Sequence, residues 1–385
     1  MTDRGNRPTI AALPVTAIPR FVPPCAALLA LACSTGPAPI RGDVHVFVFE
    51  ESVPTALFDG FHAETGVTVQ VDTYDSNEDL LAALEKSPGA YDLVMPSDYA
   101  VDALVARDAL RPLDLAAVPN YANISPQFLT PWFDAGGLAG GGRGHARSAK
   151  YSLPWLWGTT GIAYDRRVVT PPPTHWADVW NPAWAGKVVA PDDPRELLGA
   201  ALMADGKSKN ASDGPSLEAA AARAATLAKG AVALDANTPE AYLADGRAVI
   251  GIVFSGNAAL AKRANPDIAY VLPEEGGGIW FDNLAIPAGA PNPDAAAALL
   301  DYLLRAESGL AVIRAYPFSS PNEAALDALH AADPAAWSTY TGDPTVQPPA
   351  DVLAKTVPVK SLGAEGDARV TAAWSTVLAA RGATP

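Results

Sequence analysis

From residue 44 onward the chain alternates short β-branched or aromatic runs with segments of helical period, and this alternation limits the fold more than any other feature. Residues 44–49 (Val-His-Val-Phe-Val-Phe) read as a strand. Residues 54–64 read as a helix with Leu57, Phe58 and Phe61 on one face, Pro54 in its first turn and Gly66 as its stop. A strand at 67–71, a helix at 80–86 and a strand at 91–95 follow. Strand, helix, strand, helix, strand at this spacing builds an α/β layer around a largely parallel sheet. A second such unit begins near Thr159. Its strands are expected at 161–164, 187–190 and 248–254, and its helices at 196–205 and 217–229, with a helical turn at 176–180. A strand, Gly turn and strand occupy 269–287, a helix covers 293–305, and the remainder reads as helical with Pro-rich breaks.

Composition decides which classes of protein can be dismissed. Of 385 residues, 49% are hydrophobic and 18% charged, so a sizeable core can form. Gly and Pro, at 31 and 36 residues, stay below the level at which low complexity becomes the default. Lys and Arg total 27 against 42 Asp and Glu, a formal charge of −15. A nucleic-acid partner, which needs a basic face, is disfavoured. Acidity agrees with a cationic ligand but bears mainly on solubility. Both cysteines, Cys25 and Cys33, fall in the first 33 residues, which excludes a disulfide framework or thiolate metal site in the body of the chain. Arg4, Arg7 and Arg20 precede an apolar run that ends in small residues, the order of an export signal. Its end, Ala30-Leu31-Ala32-Cys33-Ser34, resembles the lipobox of bacterial lipoproteins, and that resemblance implies acylation of Cys33. Residues 1–32 are therefore expected to be a lipoprotein-type signal peptide and 33–42 a tether. No later stretch reaches the ~18 apolar residues of a spanning helix.

Enzyme signatures are missing. HExxH does not occur, and the five histidines show no metal-ligand spacing. Gly206-Lys207-Ser208 lacks the upstream glycine of a phosphate loop, and Phe254-Ser255-Gly256 lacks the nucleophile-elbow pattern. The Gly-rich insert within 133–149 has neither the phosphate-loop order nor a following helix and reads as a surface loop. Two exported α/β units without catalytic motifs imply a two-lobed receptor, with ligand between lobes at the carboxyl ends of strands.

Two constellations suit such a cleft. Asp193-Pro194-Arg195-Glu196 follows a strand end and has the form of a helix start: Asp at the N-cap, Pro at N1 and Glu at N3. The same geometry puts two acceptor-only carboxylates one turn apart, able to hold an ammonium group. Trp280-Phe281-Asp282 lies on a strand pattern, so Trp280 and Asp282 share a face. That is either a core Trp beside a surface Asp, or a ring and a carboxylate set for an alkylammonium.

Several blocks in fixed order resemble a known family. They include Val-His-Val-Phe-Val-Phe-Glu-Glu-Ser-Val-Pro from residue 44, Tyr91-Asp92-Leu93-Val94-Met95-Pro96-Ser97-Asp98-Tyr99, the 192–196 block, the 274–287 block and Tyr316-Pro317. These resemble the spermidine/putrescine-binding receptors of bacterial polyamine ABC transporters over about residues 43–325. The resemblance implies a two-lobed periplasmic-binding-protein fold of α/β class with a polyamine in the interlobe cleft. It implies ligand contacts from Phe49, Glu50, Glu51, Ser52, Ser97, Tyr99, Asp193, Glu196, Phe254, Trp280, Asp282 and Tyr316. The family usually has Trp at the position of Phe49, Tyr at that of Ser52 and Ser at that of Ala236. The expected charge-bearing set is Glu51, Asp193, Glu196 and Asp282, which speaks for a cationic amine more than for spermidine in particular.

The expected organisation is a first lobe of residues 43–158 plus 281–324 and a second of 159–280 plus 325–385, with chain crossings near 157–159, 280–281 and 325. The expected function is an extracytoplasmic receptor, periplasmic or at the cell surface and lipid-tethered. It would act as a monomer that hands a polyamine to a membrane permease, without catalysis, cofactor or metal. The alternatives are an amine sensor signalling to a membrane partner, or a receptor of this fold for another solute such as a phosphonate or iron.

Overall fold

The computed structural model describes residues 40–50, 52–134 and 149–382. The expectations for the signal peptide, for Cys33 and for Glu51 lie outside the described residues, as do residues 33–39 of the tether and 135–148 of the Gly-rich insert. The stems of that insert are described. Asp134 accepts hydrogen bonds from Tyr151 N, Ser152 N and Ser152 Oγ. Lys150, buried with it, lies 3.3 Å from its carboxylate.

The first half runs β1 (Val44–Phe49), α1 (Thr55–Thr65), β2 (Val69–Tyr74), α2 (Asn77–Lys86), β3 (Leu93–Val94) and α3 (Asp98–Ala106). A 14-residue strand β4 (Ser152–Asp165) then leads into β5 (Val188–Ala190), α4 (Pro194–Ala204), α5 (Gly214–Gly230), β6 (Ala233–Leu234), α6 (Pro239–Ala244), β7 (Ile250–Phe254), α7 (Ser255–Ala264) and β8 (Ile268–Val271). β9 (Gly278–Ala285) returns, followed by α8 (Pro293–Leu303), α9 (Ala306–Ala315), α10 (Glu323–Ala332), α11 (Pro334–Gly342), α12 (Ala350–Leu353), β10 (Val357–Pro358) and α13 (Gly363–Arg381).

The strands join in the order β2-β1-β3-β9-β4-β7-β5-β6, with β10 beside β9 and β8 beside β4. β1, β2 and β3 are mutually parallel, as are β5, β6 and β7. The two long antiparallel strands β4 and β9 join these parallel groups. Each group is covered on both faces. Val44, Val46 and Val48 pack with Phe58 and Phe61 of α1 and Leu299 and Leu300 of α8, while Phe47 and Val94 pack with Leu80 of α2 and Leu104 of α3. In the second lobe Ile162, Val188 and Ile250 meet Leu197 of α4, Ala224 of α5 and Val377 of α13, and Val189 and Val253 meet Leu243 of α6 and Ala261 of α7. The alternation along β1 sends successive side chains into different cores.

Two strands depart from expectation for identifiable reasons. Pro154 and Gly158 interrupt the pattern before residue 161, yet β4 runs through both. A register shift between Pro154 and Leu156 lets the strand absorb the proline, and all fourteen residues are buried. β2 extends past the expected end at residue 71, through Asp72 and Thr73 to Tyr74, because it is an edge strand with most of its side chains in water.

Candidate functional site

Four strands of the two parallel groups end at one cleft. Phe49 closes β1, Ser97 and Asp98 follow β3, Asp193 follows β5 and Phe254 closes β7. Side chains from all four sites line a cavity of about 780 Å³ counted to its mouth. This is the position that open α/β sheets reserve for ligands. It also gathers the N-termini of α3, α4 and α7, whose partial positive charge favours anions. Here carboxylates sit at those ends, Asp98 at the start of α3 and Asp193 at the start of α4. They reverse the sign of the cleft and suit it to a cation.

The acidic groups differ in their partners. Asp193 caps α4, with Oδ1 accepting from Arg195 N at 2.7 Å and Glu196 N at 2.9 Å. Burial, then Glu78 and Glu196, push its carboxyl well above the usual range. Asp282 accepts from Ser97 Oγ at 2.6 Å, and Ser97 is held in turn by both ends of the Asn77 amide. Burial raises Asp282 to about 7, against the lowering effect of the Ser97 hydrogen bond. Asp98 is fully buried. Its Oδ1 accepts from Tyr99 N at 2.8 Å, whereas Oδ2 has no hydrogen-bond partner among the described residues. Desolvation drives its carboxyl up too, and Asp282 adds to the shift. Glu196 lines the cleft, but both its oxygens are taken by Lys209 Nζ, at 2.8 and 2.9 Å. The capping arrangement expected at 193–196 is thus half realised: Asp193 caps, while Glu196 pairs with a lysine.

The apolar walls are aromatic. Trp280 meets Phe254 edge to face at 5.7 Å and Phe318 at 5.9 Å. Gly158, opposite Trp280 on β4, leaves room for the indole: a Cβ there would fall 2.4 Å from a ring carbon. Trp280 and Asp282 both face the cleft, whereas Phe281 between them packs into the opposite core. Phe49 and Tyr99 complete the aromatic lining.

Of the sequence-expected residues, Phe49, Glu50, Ser52, Ser97, Tyr99, Asp193, Glu196, Phe254, Trp280 and Asp282 all line this cavity. Tyr316 does not, and Phe318 is the lining residue of that segment. Tyr316 still caps α9, its N–H bonded to Val312 O, and only beyond Pro317 does the chain turn to run beside β4, where Ser319 and Trp157 bridge. Sequence reasoning missed Asp75, Asn77, Asp98, Arg195 and Phe318 in the lining. Asp98 could have been found, since it follows a strand end between two chosen residues. Lys209 carried no local signal.

Groups from the two lobes also touch across the cleft. Asn237 Nδ2 donates to Asp75 Oδ1 at 2.6 Å, and the Arg195 guanidinium lies 4.9 Å over the Tyr99 ring, whose hydroxyl is bonded to Glu78.

A deep, acidic, aromatic-walled cleft between two α/β lobes joined by paired strands defines a solute-binding protein of the periplasmic receptor class. The profile described as bacterial extracellular solute-binding protein matches residues 56–342. The Escherichia coli spermidine/putrescine-binding periplasmic protein is 34% identical over 306 residues, 79% of this chain and 84% of that one. The corresponding Haemophilus influenzae protein 1 is 31% identical over 313 residues, 80% of this chain and 82% of its own. A solved spermidine/putrescine ABC transporter structure from Listeria monocytogenes superposes with a TM-score of 0.79 at 26% identity, covering 88% of this chain and 99% of that one. The chain belongs to the bacterial extracellular solute-binding protein family, among relatives that are spermidine/putrescine-binding periplasmic proteins.

Proposed function

We propose that this protein captures a polyamine of the spermidine/putrescine class in its interlobe cleft and delivers it to the permease of an ABC transporter. The observation that carries this reading is the pairing of Asp282 and Asp98 with the aromatic wall of Trp280, Phe254 and Phe49. The carboxylates meet ammonium groups and the rings meet methylenes. Asp98 Oδ2, buried without a partner, is a place where a ligand ammonium supplies the missing donor. Ser97, Tyr99 and Asp193 belong to the same proposed contact set, with Glu50 and Ser52 at the β1 end and Glu51 and Tyr316 retained from the family resemblance alone. The relatives' names support the polyamine class, and their periplasmic location supports an exported protein.

The proposed division into lobes is 43–158 plus 281–324 against 159–280 plus 325–385, with ligand drawing the two together. Attachment to the membrane through a lipid on Cys33 and action as a monomer complete the reading. Calorimetric titration of the mature protein with putrescine, spermidine, spermine and a set of amino acids tests it. Saturable binding of at least one polyamine is expected, and heat from amino acids alone, or from none of these, overturns it.

A further inference from the structure

Glu196 is the cleft carboxylate whose needs are met from within. Lys209, in the turn between α4 and α5, reaches it from behind the lining and lies with Nζ within 2.9 Å of both carboxylate oxygens. The two side chains are only 3% and 6% exposed. Two glycines make the passage. A Cβ on Gly199 would fall 2.8 Å from Lys209 Cγ, and a Cβ on Gly278 would fall 2.5 Å from Nζ. A lysine buried this deeply is tolerable only when paired, so the ammonium is a fixed feature behind the wall.

The other carboxylates differ in kind. Asp282 takes a serine hydroxyl, Asp193 takes two backbone N–H groups, Asp75 takes the Asn237 amide, Glu50 lies at the β1 end, and among the described residues Asp98 keeps one oxygen without a donor. Their hydrogen bonds come from neutral groups, so the charge each gains on ionising is free to meet a ligand cation. Asp98 senses both Lys209 and Glu196, and Asp193 senses Glu196, so the pair lies within electrostatic reach of both aspartates.

We infer that Lys209 acts as a resident ammonium that withdraws Glu196 from ligand binding and thereby sets ligand charge, so that the cleft selects a diamine over a triamine. This rests on the polyamine reading above and adds to it a specificity-determining residue. A diamine pairs its two ammonium groups with Asp282 and Asp98 and with Asp193. The extra ammonium of a triamine meets a carboxylate already satisfied and a like charge beside it, a juxtaposition that costs affinity.

The test is calorimetric titration of wild type, Lys209→Met and Lys209→Gln with putrescine and with spermidine, each protein checked by thermal melt. Methionine keeps the stem over Gly199; glutamine keeps a donor to Glu196. The wild type is expected to bind putrescine about tenfold or more tightly than spermidine. Both variants should move that ratio toward spermidine by about tenfold. Wild type that binds spermidine as tightly as putrescine overturns the inference, whether or not the variants fold. So does a ratio that stays within about threefold in a folded variant. Loss of binding to every amine in the wild type would instead overturn the polyamine reading itself, and the inference with it.

Discussion

Asp282 has a carboxyl raised to about 7 by burial, and an ammonium ligand needs it ionised. Polyamine affinity should therefore rise between pH 6 and pH 8. Binding at pH 7 should release a fraction of a proton, readable as a dependence of calorimetric heat on the buffer's ionisation enthalpy; a heat independent of buffer would contradict it. Stability runs the other way. The folded-state value lies above the unfolded one near 3.8, so between about 4 and 7 the native state holds the extra proton. The contribution of this group is then fully present at acid pH and is lost as pH climbs through 7. Asp282→Asn removes that loss. Its melting temperature at pH 8 should equal or exceed the parent's, while amine affinity falls by roughly two orders of magnitude, the scale of a broken desolvated pair. An unchanged dissociation constant would remove Asp282 from the site.

Helix α4 shows how one residue serves two ends. Asp193 both caps the helix and lines the cleft. Asparagine caps about as well as aspartate but has no charge, and alanine does neither. Asp193→Asn should keep stability within about 0.5 kcal/mol while weakening amine binding. Asp193→Ala should weaken binding and also cost about 0.5–2 kcal/mol in denaturant titrations. Equal loss of stability in both would mean that the charge, rather than the cap, holds the helix start. On β4, Gly158→Ala would drive a methyl group into the Trp280 ring. About 1–3 kcal/mol of destabilisation is expected, with altered Trp emission.

For the whole molecule the question is closure. Asn237 to Asp75 and Arg195 over Tyr99 join the proposed lobes without a ligand, and Arg107 and Asp367 add a pair at 4.0 Å. The Arg107–Asp367 pair is partly exposed and worth little singly, and ligand contacts to both lobes add to the bias toward the closed form. Polyamine addition should reduce the radius of gyration in small-angle scattering and change Trp280 fluorescence. Asn237→Ala, which removes the hydrogen bond to Asp75, should weaken binding a few-fold. Profiles that superimpose with and without saturating putrescine would count against a closing cleft.

Much of this molecule could be read from residue order. The β1 strand, the α1 and α8 helices, the two α/β units and the Trp280–Asp282 strip follow from periodicity, capping and alternation, all of which act over a few neighbouring residues. Ten of the twelve expected contacts line the cleft: capping and strand alternation pointed to Asp193, Glu196, Trp280 and Asp282, and the family resemblance supplied the other six. What escaped depends on distance in the chain. Pro154 and Gly158 look like strand breakers until a bulge and a partner strand absorb them. Tyr316 and Phe318 differ only in where α9 lets go. Lys209, thirteen residues from Glu196, reads as a surface lysine in a polar turn until Gly199 and Gly278 open a path for it. Local rules place a carboxylate on a helix; only tertiary packing decides whether its partner is a ligand or the protein's own lysine, because burial makes an unpaired charge intolerable and selects whichever cation can reach it.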